Sequence, residues 1–223
     1  MIEVVTVFEQ IIRQLRRDIF DGVYRPGEKI TVKQIADKYN VSGMPVREAF
    51  QHLHGERLIR MQPYTGTVVI GITREYIHDI FDMSAIMQAE FGIRALSSPD
   101  YEKIHKNLME LVGKIEKVEL REDAFVDLDT ELHGLFLMEC GNETAFDLNS
   151  RYLEIINYFT GRASHSKSHG GGLTRESRKA LTDKQHRNIL KCFELKDSMG
   201  LRNSIFEHFN NVSNSIVSVV KAK

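Results

Sequence analysis

Apolar residues recur at helical spacing along most of this chain, and the spacing switches to alternation over one short stretch near residue 60. Val7, Ile11, Ile12, Leu15 and Ile19 mark one face of a first helix that closes near Asp21-Gly22. Arg25-Pro26-Gly27 predicts a turn and Ile30 a short strand or connector. Thr31 is a good N-cap for a second helix reaching Asn40. Val41-Ser42-Gly43-Met44 then makes a tight turn into a third helix, in which Val46, Ala49, Phe50 and Leu53 must face a core. Ser42 suits the N-cap of that helix, and Pro45 falls in its first turn, where a missing N–H costs little. Leu58–Met61 and Thr67–Ile70 flank Pro63-Tyr64-Thr65-Gly66 as a β-hairpin. From Arg74 onward the periodicity is helical throughout, over roughly 75–96, 100–118, 122–140, 144–163, 177–194 and 197–220, with Pro99 and Gly141-Asn142 as stops. Ser164–Thr174, with three consecutive glycines, reads as a flexible loop. The predicted fold is mainly α: a winged helix-turn-helix in residues 1–72, followed by an antiparallel all-helical bundle in 73–223.

A short helix held across another, followed by a hairpin, is the geometry that enters a DNA major groove with a wing laid along the backbone. The core-facing residues of the third helix leave Gly43, Met44, Arg47, Glu48 and Gln51 pointing outward. An exposed arginine one turn into such a helix can contact guanine through two hydrogen bonds. The plainer alternative is that Arg47 meets only solvent or a neighbouring glutamate. The net charge of −1 conceals a division: residues 1–72 hold ten lysines and arginines against eight acids, the remainder twenty against twenty-three. The bias is small, but phosphate contact depends on local rather than total charge.

The rest of the composition narrows the setting. No apolar run is long enough for a membrane span. Glu3 and Glu9 stand where a signal peptide would place positive charge, so a cytoplasmic protein is expected. Cys140 and Cys192 lack metal-site or redox spacing and read as reduced core residues, as the Met83/Met87 pair reads as core packing.

Four polar residues lie on apolar faces of the C-terminal helices. Asp129 and His133 share a face with Val126, Phe136 and Cys140; His186 begins a face continued by Ile189, Leu190 and Phe193; His208 interrupts the stripe Leu201, Ile205, Val212, Ile216. Buried carboxylates and imidazoles need partners. A divalent metal would satisfy all four together, and one oxygen with three imidazole nitrogens suits Zn²⁺, Ni²⁺, Mn²⁺ or Fe²⁺. The alternative is that each histidine is a hydrogen-bonded core residue and Asp129 caps a helix or pairs with a lysine. His165 and His169 are also four apart, but in a Ser/Gly/Lys loop, and read as solvated.

Arg25-Pro26-Gly27-Glu28, Ile35-Ala36, Ser42-x-x-Pro45-Val46-Arg47-Glu48-Ala49 and the Pro63-x-x-Gly66 wing together resemble the GntR superfamily of bacterial regulators. Asp129-x-x-x-His133, Gly141-Asn142, His186-x-x-Ile189, Asp197 and His208 resemble the FCD effector domain of its FadR subfamily. The resemblance implies DNA contacts from Lys33, Ser42, Gly43, Met44, Arg47, Thr65 and Gly66, and a metal held by Asp129, His133, His186 and His208 beside a small-molecule cavity. Two DNA-facing positions depart from the family: Gly43 and Thr65 stand where Arg and a basic or Asn residue are usual. The departures imply weaker or altered operator binding. A third lies on the first bundle helix, where Ser84 and Gln88 replace the usual Arg-x-x-x-Glu as inward, effector-facing residues. An acidic effector would then rely on the metal alone, unless Arg94 or Arg151 compensates. The expected protein is a non-enzymatic, homodimeric regulator, most simply a repressor. It would bind a pseudo-palindromic double-stranded operator under control of a small molecule near a divalent metal, without a membrane partner. The alternatives are a metal-dependent enzyme acting on a small substrate, or a regulator whose metal is structural or is itself the signal.

Overall fold

Thr6 starts the first helix, α1 (Val7–Phe20), with a reciprocal cap: its hydroxyl accepts from the Glu9 N–H, and the Glu9 carboxylate accepts from the Thr6 N–H at 2.8 Å. Ile11, Ile12, Leu15 and Ile19 are buried as their spacing requires, whereas Val7 is 52 % exposed and leaves the predicted face. Thr31 and Gln34 repeat the cap at the start of α2 (Val32–Tyr39). Ser42 takes the N-cap position of α3 (Gly43–Gly55) with extended backbone but makes no side-chain cap bond, so the helix starts without the bond its sequence offered. The strands β1 (Lys29–Ile30), β2 (Ile59–Gln62) and β3 (Gly66–Val69) form one antiparallel sheet in the order β1-β3-β2, with Ile59 opposite Val69 and Gln62 opposite Gly66.

The computed structural model describes residues 6–62, 66–120, 123–165 and 174–219, and it separates into two units, Met1–Thr73 and Arg74–Lys223. In the first unit, Asp18 is a buried charged residue in a largely apolar core. Its carboxylate accepts from Gln14 Nε2 at 2.8 Å, Lys38 Nζ at 2.6 Å and the Tyr39 hydroxyl at 2.9 Å, so one acid ties α1 to α2. Arg16 and Glu56 make a second tie, at 2.6 Å, between α1 and the end of α3. Asp18→Ala should remove about 2 kcal/mol from the first unit, because the half-buried Tyr39 hydroxyl loses a charged acceptor, while Gln14 and Lys38 recover solvent. Urea denaturation followed by circular dichroism checks it; a change under about 0.5 kcal/mol, the scale of an ordinary surface substitution, would show that the network is dispensable. Where the chain leaves β3, Gly71 has φ +78° and lies so close to Pro26 that a Cβ would come within 2.5 Å of its ring. Only glycine satisfies both the left-handed backbone and the contact.

The second unit is a helical bundle of α4 (Arg74–Ala95), α5 (Tyr101–Ile115), α6 (Asp123–Glu139), α7 (Glu143–His165), α8 (Arg175–Glu194) and α9 (Ser198–Val219). α4 packs along α9, α6 and α7, while α8 packs against α9 and α5. α7 runs through His165, two residues beyond its predicted end; His169 and most of the glycine-rich segment lie outside the described residues. Met83 is 41 % exposed and Met87 only half-buried, so this pair faces outward on α4 rather than into the core. Both cysteines are free and half-buried.

Candidate metal centre and nucleic-acid interface

The third helix of the first unit turns its apolar residues inward: Val46, Ala49, Phe50 and Leu53 are essentially inaccessible. The geometry of a helix then forces Met44, Arg47, Glu48 and Gln51 outward, and all four are exposed. Arg47 has no ion-pair partner among the described residues, unlike Arg16 and Lys38 in the same unit. Lys33 and Ser42 are also exposed, and Met44 is 63 % exposed. Gly43 packs close to Val32, where a Cβ would sit 3.3 Å from a methyl group. Gly66 opens β3 with φ +95°, while Thr65 lies outside the described residues. The turn and two helices thus present Lys33, Ser42, Met44 and Arg47 to solvent.

The four candidate ligand residues come from three helices that are distant in sequence. α6 carries Asp129 and His133 one turn apart, α8 carries His186 and α9 carries His208. Their side chains converge: nitrogens of the three imidazoles lie within 4.8 Å of one another, and Asp129 Oδ1 is 3.4 Å from His186 Nε2 and 3.8 Å from His133 Nε2. His133 Nε2 and His208 Nε2 are 3.0 Å apart. Two donors bound at Zn–N or Zn–O distances of about 2.0–2.2 Å sit roughly 2.9–3.5 Å apart, so the 3.0 and 3.4 Å separations have the dimensions of a coordination shell and the 3.8 Å separation is slightly wider.

Its hydrogen bonding supports the same assignment. His133 Nδ1 lies 2.9 Å from Gln88 Oε1, and His208 Nδ1 lies 3.2 Å from Gln185 Oε1. A carbonyl oxygen only accepts, so both Nδ1 atoms carry the proton and both Nε2 atoms present lone pairs. The two Nε2 atoms lie 3.0 Å apart, a spacing that a shared proton or a bound metal cation would satisfy. Asp129 Oδ1 and both ring nitrogens of His186 are buried and have no hydrogen-bond partner among the described residues. An oxygen and three nitrogens left in this condition fit a divalent transition metal and leave room for further ligands. Burial drives the three imidazoles toward the neutral, metal-binding form: His133 and His186 fall well below the usual histidine range, with His208 adding to the effect of burial on both and His133 and Lys179 adding to it on His186, and His208 falls to about 4. Burial also pushes the Asp129 carboxyl up to about 7.

A cavity of about 110 Å³ opens against this cluster, with Asp129, His133 and His208 in its wall. Phe125, Leu153, Ile156 and Phe209 supply much of the remainder, and Arg178 and Thr182 contribute polar groups. Ser84 and Gln88 are not in the wall, which corrects the expectation drawn from sequence. Both are buried on α4, but Gln88 stands behind His133 and contacts the ring at Nδ1, on the side away from Nε2, and the Ser84 hydroxyl has no hydrogen-bond partner among the described residues. The cavity arginine is Arg178, not Arg94, which is exposed and pairs with Glu90, nor Arg151, which is exposed. Sequence reasoning missed Arg178 because it sits in the charged run Arg175-Glu176-Ser177-Arg178-Lys179, which reads as a solvated face. It also missed Gln185, whose only signal is its place beside the inward-facing His186.

Residues 8–69 match the family described as bacterial regulatory proteins, gntR family. The chain is similar to the HTH-type transcriptional repressor RspR of Escherichia coli (strain K12), 26 % identical over 214 residues that cover 94 % of this chain and 89 % of that protein. The fold resembles that of E. coli McbR/YncC, with a TM-score of 0.59 at 15 % identity over 93 % of this chain and 95 % of the other. The bundle resembles the Zn²⁺-bound FCD domain of TM0439, with a TM-score of 0.51 at 18 % identity over 69 % of this chain and 99 % of the other. The first unit thus carries a helix-turn-helix domain that matches the GntR family, the chain is similar to transcriptional regulators over most of its length, and the second unit has an FCD-like helical fold. The matching family and the similar curated proteins are transcriptional regulators, which sets the hydrolytic or oxygenating alternative aside. No helix among the described residues is long and apolar enough to cross a membrane.

Proposed function

We propose that residues 1–72 bind a pseudo-palindromic operator as part of a cytoplasmic homodimer. Residues 73–223 would control that binding through a small molecule held beside a divalent metal on Asp129, His133, His186 and His208. Lys33, Ser42, Gly43, Met44, Arg47, Thr65 and Gly66 are the DNA-facing set in this reading, with Arg47 the base-reading side chain. The observation that carries the control mechanism is the convergence of one carboxylate and three imidazoles, with Asp129, His133 and His208 on the wall of a cavity and His186 beside them. The metal, when bound, supplies a Lewis-acidic anchor for a ligand oxygen. Arg178 adds cationic character to the same wall, so an acidic effector need not rely on the metal alone. The apolar remainder of the wall favours a compact ligand with one polar head over a polyhydroxylated one, whose hydroxyl groups would be buried without partners. Repression is the simplest outcome, since the full-length similarity to RspR is to a repressor.

The test is a fluorescence-anisotropy titration of DNA upstream of the protein's own gene, with random DNA as competitor, at two salt concentrations and with zinc-loaded and chelator-treated protein. Specific binding should survive the competitor. Small carboxylic acids added to the zinc-loaded protein should include ones that change operator affinity at least tenfold, which needs a differential preference of only about 1.4 kcal/mol. Affinity that tracks zinc alone would make the metal itself the signal. Affinity indifferent to zinc and to every acid, with zinc still bound, would make the metal structural.

A further inference from the structure

Gln88 and Gln185 belong to different helices, α4 and α8, yet they do the same thing to two different histidines. Each is nearly inaccessible, at 3 % and 4 % exposure, and each directs its carbonyl oxygen at an Nδ1 atom. Each also leaves its own amide nitrogen buried without a hydrogen-bond partner. Burying an unsatisfied amide donor is costly, so packing alone would favour an apolar side chain at both positions. The compensating interaction is the one to the imidazole. It selects the tautomer that points Nε2 at the ligand cluster, where the reverse tautomer would place a proton in the path of a metal.

We propose that Gln88 and Gln185 are positioning residues of the metal centre, holding His133 and His208 in the ligating tautomer through neutral amide acceptors, and so setting an affinity that permits metal exchange. The inference rests on the metal-centre reading above. A carboxylate in the same place would raise the basicity of the imidazole and tighten the site, whereas an amide orients the ring without that electrostatic gain.

The experiment is a zinc titration of the full-length protein against a chromophoric chelator, comparing the wild type with Gln88→Leu, Gln185→Leu and Gln88→Glu. Each leucine variant should bind zinc about 10- to 100-fold more weakly, the usual scale for losing an outer partner of a ligand histidine. Gln88→Glu should bind at least as tightly as wild type and release zinc more slowly. Long-range ¹H–¹⁵N spectra of the imidazoles in the metal-free protein give a readout that packing damage alone would not move. The His133 ring should be a single Nδ1–H tautomer in the wild type and in Gln88→Glu, and lose that preference in Gln88→Leu. If Gln88→Leu fails to fold, Gln88→Glu carries the test alone, since a carboxylate keeps the acceptor and nearly the same shape. Wild-type affinity in both leucine variants would overturn the proposal and leave the metal centre standing. So would a Gln88→Glu variant that binds zinc as poorly as Gln88→Leu. A wild-type protein that binds no zinc at all would overturn both.

Discussion

Replacing His186 with alanine should lower zinc affinity at least 100-fold and abolish the thermal stabilisation that zinc confers on the wild type. A ligand at about 1,000 times its Kd stabilises the native state by about 4 kcal/mol, which in a domain of this size corresponds to roughly 10 °C in Tm. Without metal the variant should melt close to the metal-free wild type, because the substitution also removes two buried ring nitrogens that have no partner. Zinc content by mass spectrometry together with differential scanning calorimetry checks both halves. Unaltered stoichiometry would remove His186 from the ligand set.

The same cluster predicts how the metal-free protein responds to acid. The three imidazoles have depressed folded pKa values, so their contribution to stability is present above the unfolded value near 6.5 and is lost as pH falls toward the folded values, about 4 for His208. Asp129 acts oppositely, since its pKa is raised from 3.8 to about 7 and its contribution is lost as pH rises through that window. Between about pH 4 and 6.5 the unfolded chain gains up to three imidazole protons, while the native state holds one extra carboxyl proton, so the imidazoles win and the metal-free bundle weakens in acid.

Arg47→Ala should weaken specific operator binding by more than tenfold and leave the circular dichroism spectrum unchanged. Arg47 is exposed and makes no ion pair among the described residues, so nothing in the fold depends on it. A bidentate contact to guanine is worth about 1–3 kcal/mol, and its loss would relax specificity at that base pair. A phosphate contact would instead weaken all sequences alike and lower the salt slope by about one. Anisotropy titrations on operator and on random DNA at two salt concentrations separate these outcomes. Unchanged affinity would show that α3 is not the recognition helix.

Local order was largely legible without coordinates. Thr31 has a Gln three residues later, and the cap forms as that spacing requires. Val46, Ala49, Phe50 and Leu53 could be assigned to a core because a helix places such residues on one face, and their burial makes Arg47 face outward. Asp129 and His133 were bound to share a face for the same reason. Ser42 shows the limit of local reasoning: a good capping residue stands at the cap without making the bond. Ser84 and Gln88 show it more sharply, since periodicity correctly turned them inward but did not say toward what.

The order of apolar and polar residues by itself determined the helices, the hairpin and the inward direction of the four ligand side chains, because each depends on a repeat of a few residues along one element. Only the tertiary structure decided that His133 and His208 meet at 3.0 Å, that Gln88 and Gln185 hold them from behind, and that Arg178 rather than Ser84 or Gln88 lines the cavity. Those facts depend on how α4, α6, α8 and α9 are rotated and placed against one another, and a periodicity confined to one helix carries no information about that placement.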